Sequence, residues 1–443
     1  MRSDGRVLAR WERQVRLNRK EFLSLLGISA TGLSLGACPS VETEEAVSTE
    51  TTTKEPSMEE RVAEIIRHYD AQGIHRTGTE GDQECARWLA GEVRRLGVEA
   101  SLEGLPFEKI EVAECSLHIG ERRIEGVPLF DAPGTGPEGL TGTVGSDPSG
   151  RSSLGFLAVA PNGTGAGELL AYRESTTQAA VIAVVGGERF GMPPGPALLN
   201  AESYSTPSGP PTIQVPGETL ELLQEAAVAG TEVRFFDDFE KQSTEVYNTT
   251  ATILGRDESL APLVVMTPRS GWWSCASERG GGIAVWLEMI RALERVGPER
   301  SAHFVASTGH ELGHYGLEHY LKQRHNLIAG AVAWIHLGAN FGAAVGPGVL
   351  FQASDEEARR LGLEAMSRYG RQPERETLPG DRPLGEARNI FDGGGRYLSL
   401  LGRNGLFHHP DDRWPEAVDV GAVAAFALAF ADVAVGLAHA DAG

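Results

Sequence analysis

The stretch VVMTPRSGWWSCASERGGGIAVWL, residues 264–287, decides the fold of this 443-residue chain. It begins with an apolar, β-rich run, breaks at Pro268, continues as a polar loop and enters a segment whose apolar residues have helical spacing. A second stretch, SAHFVASTGHELGHYG at residues 301–316, repeats the order of strand, loop and helix. Repeated units of this kind predict an α/β fold with a mostly parallel sheet, in which ligands bind beyond the carboxyl ends of the strands.

The composition is that of an ordinary globular chain, with 41% hydrophobic and 23% charged residues. The net charge of −21 argues against nucleic acid as a partner, because phosphates require a basic surface. The simplest interpretation of the acidic balance is solubility.

The first 37 residues have the pattern of an export signal. A basic region, residues 2–20, precedes an apolar segment, residues 22–35, that is short for a membrane span. The following LGAC resembles the lipobox of bacterial lipoproteins, so we predict lipidation of Cys38, anchorage to a bacterial membrane through the lipid, and an extracytoplasmic location. The run NRKEFL at residues 18–23 resembles a twin-arginine signal with Arg-Lys in place of Arg-Arg, which leaves the export route open. An ordinary amphipathic helix is the alternative.

Changes in residue composition divide the mature chain into a tether and two domains. Residues 38–57 are rich in Thr, Glu and Ser and are expected to form the tether. Residues 127–247 are rich in glycine and proline, with short apolar runs between turns, and indicate a compact inserted β-rich domain. Residues 58–126 and 248–443 make up the α/β domain. Helices are expected at 58–71, 82–96, 219–229, 355–366 and 420–437, and strands at 107–124, 249–254, 329–337 and 397–401.

Three cysteines remain besides Cys38, an odd number for an oxidising compartment. A bridge between Cys85 and Cys115 would leave Cys275 as a free thiol. Three buried thiols fit the sequence equally well.

Several motifs in this order resemble the secreted zinc aminopeptidase family, which includes bacterial aminopeptidases, glutamate carboxypeptidase, the transferrin receptor and the animal glutaminyl cyclases. The resemblance covers nearly all of the mature chain and implies their three-layer fold, with a protease-associated domain at residues 127–247. The motifs are HRTGTEG at 75–81, the two strand–loop–helix stretches quoted above, TGHELG at 308–313, WIHLG at 334–338, and FHHPDD at 407–412 with EAVD at 416–419.

The family's active members bind two zinc ions, and the resemblance implies that this chain keeps only part of that site. The first metal histidine of the family falls on Pro268 and its companion aspartate on Ser270, while a third ligand position carries His336. One metal position therefore lacks its ligands. The other keeps two carboxylates and an imidazole, which with a water would form an open site for a single zinc ion. Its implied ligands are Glu278, Glu311 and His408.

His310 falls where the family has its general base, and histidine suits that role near neutral pH. It could instead be a fourth ligand, or a histidine at a helix start that is paired with a carboxylate. His336 could line the same cleft or be a hydrogen-bonded histidine at a strand end.

The run HELGH at residues 310–314 also matches HExxH, in which two histidines on one helix face hold zinc and Glu311 acts as base. Gly313 and Gly316 are poor helix residues, and the neighbouring elements follow the aminopeptidase pattern. We interpret the match as accidental.

The loop that follows the first strand is unusually rich in arginine and tryptophan. If they are exposed, these side chains would form a platform for a planar or anionic substrate, and Arg269 could replace a lost metal charge. The alternative is that both tryptophans pack under the inserted domain and Arg269 pairs with an acid. A thiol dyad of Cys275 with His310 lacks an orienting third group. The platform residues are Arg269, Trp272, Trp273 and Arg279.

These observations predict a divergent, lipid-anchored zinc peptidase-like hydrolase or amide-processing enzyme. In that hypothesis His310 moves the proton, and Arg269 with Trp272 orients the substrate. The alternative is a catalytically inactive protein that binds a peptide or small ligand in the former cleft, as the transferrin receptor resembles its enzymatic relatives without their activity. The changed motif positions keep both hypotheses open.

Overall fold

The computed structural model describes residues 55–439, so the export signal, Cys38 and most of the tether lie outside the described residues. The helices are α1 Met58–Ala71, α2 Glu80–Arg95, α3 Gly163–Ser175, α4 Leu220–Ala229, α5 Gly280–Val296, α6 Tyr315–Lys322, α7 Leu327–Gly330, α8 Glu356–Arg368, α9 Ala387–Asp392 and α10 Val420–His439. The strands are β1 Ala100–Ile119, β2 Arg122–Glu125, β3 Val127–Pro128, β4 Leu140–Gly145, β5 Leu154–Val159, β6 Ala180–Val185, β7 Thr212–Pro216, β8 Glu232–Ile253, β9 Leu263–Pro268, β10 Ala302–Ser307, β11 Ala333–Leu337, β12 Gly348–Ala353, β13 Arg375–Thr377 and β14 Tyr397–Arg403.

The two quoted stretches form the centre of the sheet, as predicted. Strands β14, β11, β9 and β10 lie side by side and are parallel, and all six residues of β9 are buried. Near-continuous apolar runs suit such strands, because helices cover both faces of a parallel sheet. Antiparallel β8 and β12 flank this centre. The predicted α/β class with a mostly parallel central sheet is confirmed.

A long two-stranded ribbon joins the main sheet to the inserted region. Strands β1 and β8 pair antiparallel from Ala100 opposite Ala251 to Ile119 opposite Val233. The sequence predicted only the carboxyl-terminal end of β8, because its middle is rich in charged and polar residues that lie partly exposed along the ribbon. The predicted boundary at residue 247 therefore falls inside a strand.

The inserted region has a second sheet and a core of its own. Strands β4, β5, β6 and β7 are mutually parallel, with β3 antiparallel at the edge. Leu169 of α3, Val181 and Ala183 of β6 and Leu199 belong to a buried apolar cluster separate from the main core. This region thus combines its strands with two helices, α3 and the helix α4 that the sequence predicted at 219–229.

The closing helix α10 packs against α5, α8 and α1. Within the described residues it is the one helix long and apolar enough to cross a membrane by length and composition, and 56% of its most apolar window is buried inside the protein. Its contacts are those of a core helix.

The three cysteines within residues 55–439 are free and buried. Of the two alternatives left open by the sequence, three buried thiols is the one observed. Cys85 and Cys115 are not bridged.

Candidate active site

The candidate site lies beyond the carboxyl ends of β9, β10 and β11, where the sequence predicted it. Three loops contribute to it, namely residues 269–279 after β9, residues 308–314 after β10 and residues 404–419 before α10, together with His336 near the end of β11 and Glu386 just before α9. Nearly all of its polar side chains are buried. The polar residues exposed by 2% or less include Glu278, Arg279, Glu311, His336 and His408.

The start of α5 packs closely against the neighbouring strand ends. A Cβ atom on Gly282 would lie 2.6 Å from Thr267 Oγ1 and 3.1 Å from the carbonyl oxygen of Leu337. Only glycine allows this approach. The three glycines that open α5, residues 280–282, therefore fix the preceding loop, with Glu278 and Arg279, at the edge of the sheet.

Asp412 holds that loop from the opposite side. Its carboxylate accepts hydrogen bonds from the backbone N–H groups of Ser277, at 2.8 Å, and Glu278, at 2.9 Å. Burial raises the pKa of Asp412 to about 7, although these hydrogen bonds oppose the shift. Asp412, which lies four residues after His408 in the sequence, thus positions the backbone of Glu278.

Glu278 faces an arginine and a histidine. Glu278 Oε1 lies 2.8 Å from Arg279 Nη2 and 3.5 Å from His408 Nε2. Burial opposes ionisation of Glu278, but the charge of Arg279 outweighs it and lowers the pKa of this carboxyl. Arg279 therefore supplies the positive charge that the resemblance assigned to a metal ion at this position.

Several atoms of this cluster have no hydrogen-bond partner: both carboxylate oxygens of Glu278, Nη1 and Nη2 of Arg279, and Nε2 of His408. Arg279 is oriented by its Nε atom, which donates to the Ser270 carbonyl at 2.8 Å. His408 Nδ1 bonds the Leu198 carbonyl at 2.7 Å, which leaves Nε2 as the acceptor of the neutral ring. The cluster therefore retains unused donors and acceptors inside the protein.

Glu311 does not join Glu278 and His408. Its Oε1 atom accepts the N–H of Thr77 at 2.7 Å, and its Oε2 atom accepts the hydroxyl of Ser270 at 2.7 Å. Burial raises the pKa of Glu311, while these hydrogen bonds oppose the rise. Within residues 55–439, Glu278, Glu311 and His408 do not form a group whose ligand atoms lie within 4.8 Å of one another.

A different set of ligand types does converge. Within residues 55–439, one group of three has its ligand atoms within 4.8 Å of one another, and all three of its members are buried: His310, His314 and Glu386. His310 Nδ1 and Glu386 Oε1 form a short hydrogen bond, and Glu386 Oε2 lies 3.0 Å from His336 Nε2. His336 is in turn fixed by Ser399 Oγ, 2.8 Å from its Nδ1 atom. His336 is therefore hydrogen-bonded on both ring nitrogens and does not line an open cleft.

The charges within this group are set by its burial. Burial, reinforced by the nearby charge of Arg279, lowers the pKa of His310 to about 4. Burial alone would raise the pKa of Glu386, but its neighbours His310 and His314 and the hydrogen bond from His336 hold it well below its usual range. At neutral pH a neutral His310 thus donates its Nδ1–H to an ionised Glu386, and its Nε2 atom keeps a lone pair.

The prediction that a helix starts at His310 is wrong. Residues 310–312 form a short 3₁₀ turn, Gly313 and His314 have φ angles of 69° and 60°, and the helix begins at Tyr315. His310 and His314 are brought together by this turn, with ring centroids 5.3 Å apart. The HExxH match therefore lacks its helical geometry and its glutamate base, yet both of its histidines belong to the convergent group.

Glu386 had no sequence pattern to single it out. It lies just before the short helix α9, 76 residues after His310. Only the tertiary fold brings the two together.

The loop side chains do not form an exposed platform. Trp272 is fully buried, meets the Phe130 ring edge-on at 5.2 Å and donates its Nε1–H to Asn200 in the inserted region. Trp273 is also buried and donates to the His408 carbonyl at 3.0 Å. The platform hypothesis is wrong for both tryptophans, because both are buried and Trp272 packs against the inserted region.

Arg269 has a structural role as well. Its Nη1 atom lies 2.7 Å from Asp82 Oδ1, and neither side chain is more than 1% exposed. This is the pairing with an acid that the sequence left as the alternative, so Arg269 is not placed to orient a substrate. Cys275 is buried too, and burial raises the pKa of its thiol, which argues against a thiol dyad.

No protein family model matches the sequence, and no curated protein matches it. Solved structures do. The chain is similar to a peptidase M28 precursor from Shewanella amazonensis, with a TM-score of 0.70 and 16% identity, covering 87% of this chain and 96% of that one. It is also similar to a zinc aminopeptidase from Bacillus subtilis, with a TM-score of 0.68 and 15% identity over 85% and 95% of the two chains. The chain has the aminopeptidase fold.

An aminopeptidase from Aneurinibacillus sp. strain AM-1 shares the aminopeptidase fold with this chain, with a TM-score of 0.63 and 14% identity over 86% of this chain and 93% of that one. At such identities the likeness establishes the fold. The chemistry has to be argued from the residues of the site.

Proposed function

We propose that this chain is a hydrolase of the aminopeptidase fold that acts on peptides or related amides with a single zinc ion. The observation that supports this proposal is the convergence of His310, His314 and Glu386. Two imidazoles and a carboxylate are a donor set that zinc takes in catalytic sites, with a fourth position left for water. This set replaces Glu278, Glu311 and His408, the ligands implied by the resemblance.

The neighbours of the three donors suit this role. His314 Nδ1 lies 2.7 Å from Asn389 Oδ1, and Asn389 donates to Glu318 Oε1 at 2.8 Å. The amide thus accepts the Nδ1–H of His314, so the lone pair of the neutral ring lies on Nε2. Burial lowers the pKa of both His310 and His314, so both rings are neutral at pH 7, as metal ligation requires.

A zinc ion bound there would polarise a carbonyl group and lower the pKa of a bound water. His408 offers a bare Nε2 atom that can accept a proton, and burial keeps this ring neutral by lowering its pKa. Arg279 Nη2 faces Glu278 Oε1 at 2.8 Å, and Nη1, which has no hydrogen-bond partner, can donate to the oxygen of a carbonyl or carboxylate. Proton transfer by His408 and substrate orientation by Arg279 replace the roles predicted for His310 and Arg269.

The test combines zinc quantification with a screen of peptide and amide substrates. We expect about one zinc per chain by mass spectrometry, loss of zinc in Glu386→Gln, and turnover that a chelator abolishes. Arg279→Lys should retain zinc and lose turnover, because the compact ammonium group of lysine cannot replace the forked N–H donors of the guanidinium. Turnover that is unaffected by complete removal of metal would contradict the proposal.

A second candidate function is ligand binding without catalysis. The buried ion pair of Glu278 with Arg279 favours it, because a fixed guanidinium charge stands where the resemblance places a metal. A protein that holds no zinc and hydrolyses no substrate, but whose melting temperature rises with one member of the screen, would support this candidate.

We also propose, from the sequence motifs, that the protein is exported and anchored by a lipid on Cys38. The Cys38→Ser chain should be released from membranes and should lack the mass of a lipid. Membrane retention of that variant would contradict the anchor.

A further inference from the structure

A segment of the inserted region, residues 194–204, lies across the candidate site, and we refer to it as the strap. It has no regular secondary structure, and it contacts each of the site loops. Its contacts are the Pro194 carbonyl with His409 Nε2 at 3.2 Å, the Leu198 carbonyl with His408 Nδ1 at 2.7 Å, Asn200 Oδ1 with Trp272 Nε1 at 3.1 Å, and the Ala201 N–H with the Glu311 carbonyl at 2.8 Å.

One contact of the strap reaches the proposed zinc donors through a single arginine. Glu202 of the strap forms an ion pair with Arg388, and Arg388 Nη2 lies 3.3 Å from His314 Nε2. The Nδ1 atom of His314 is already bonded to Asn389. The nitrogen that faces the guanidinium is therefore the only one that His314 can offer to a metal ion.

A guanidinium in that position opposes metal binding for two reasons. It occupies the lone pair of His314 Nε2, and its positive charge repels a second cation at short range. Glu202 holds it there. The pair is partly exposed, with 28% of the Arg388 side chain and 46% of the Glu202 side chain accessible, so it contributes little to stability by itself.

We propose that Glu202 and Arg388 form an autoinhibitory latch, in which the strap holds the guanidinium against His314 and opposes loading of the site with zinc. This inference rests on the proposed zinc site. Coupling between two sites is reciprocal, so zinc binding releases Arg388 and loosens the strap at Glu202. The inserted region thereby senses whether the site is loaded.

The test measures zinc affinity by competition with a chromophoric chelator in the full chain. We expect Arg388→Ala and Glu202→Gln to bind zinc about tenfold more tightly than the wild type, within the usual range of coupling between sites. The matched control is Arg368→Ala, which removes a partly exposed ion pair with Asp432 between α8 and α10. Its zinc affinity should equal that of the wild type.

Hydrogen exchange provides a second readout that does not depend on activity. Zinc should speed exchange of the Ala201 amide in the wild type, but not in Glu202→Gln, where the strap is already released. Unchanged zinc affinity in both latch variants, together with loss of zinc in His314→Ala, would overturn the latch and leave the zinc site standing. Absence of zinc from every variant, Arg388→Ala included, would overturn the zinc site and the latch with it.

Discussion

Arg279 Nη2 lies 2.8 Å from Glu278 Oε1, and both side chains are completely buried. A buried carboxylate needs a compensating positive charge, and here the residue next in sequence provides it. The aminopeptidase fold is thus retained while the charge balance at one of its expected metal positions comes from the chain itself. This charge balance accompanies the replacement of an expected metal histidine by Pro268 and of its companion aspartate by Ser270.

Removing only the arginine from this pair should be costly. We expect Arg279→Gln to lower the free energy of unfolding by about 3–5 kcal/mol, because Glu278 would remain buried without a partner. Urea denaturation measures this change. The double variant Arg279→Gln/Glu278→Gln should recover part of the loss, since both charges are then absent. A cost below about 1 kcal/mol for the single variant would show that the pair is solvated.

Acid should destabilise the metal-free protein through His310. The folded-state pKa of His310 is about 4, below the ordinary value of 6.5, so the unfolded state binds more protons between these values. The contribution to stability is full above pH 6.5 and falls as the pH drops towards 4, by up to about 3 kcal/mol. Urea midpoints between pH 7 and 4.5 in the presence of a chelator measure the slope. The dependence of the urea midpoint on pH should be weaker in His310→Gln than in the wild type. An equal dependence would contradict the lowered pKa of His310.

The close packing at the start of α5 can be tested with a methyl group. Gly282→Ala places a Cβ atom 2.6 Å from Thr267 Oγ1, and we expect it to lower the free energy of unfolding by about 1–3 kcal/mol. Gly91→Ala in α2 is the matched control, since a Cβ atom there meets nothing within 4 Å. The control should stabilise by about 0.5–1 kcal/mol through helix propensity. Thermal melting distinguishes the two, and equal melting temperatures would contradict the packing.

The thiols should be unreactive until the protein unfolds. Cys85, Cys115 and Cys275 are free and buried, and burial raises the pKa of each. In the Cys38→Ser chain, a thiol reagent should modify essentially none of them under native conditions and about three in denaturant without a reductant. Modification of only one in denaturant would indicate a disulfide.

Local patterns in the sequence were sufficient to predict the central sheet. The apolar runs of β9 and β10, the breaks at Pro268 and Gly309, and the glycine run before α5 encode the repeated unit directly. The ribbon strand β8 was predicted only in part, because alternating charges along its middle carry little of the apolar pattern on which strand prediction depends.

The contacts within the site could not be predicted from local sequence patterns, because they depend on the tertiary fold. Left-handed residues Gly313 and His314 turn the chain before α6, and no periodicity reports such a turn. The burial of Trp272 depends on the inserted region above it. Glu386 approaches His310 from another part of the chain, so only spatial proximity identifies it as a donor.

The location of the proposed metal is tested most directly by zinc content per chain in two histidine variants. His314→Ala should contain no zinc, whereas His408→Ala should retain about one ion, because only His314 belongs to the convergent donor set. The reverse result, with zinc retained in His314→Ala and lost in His408→Ala, would contradict this assignment and place the ion beside Glu278.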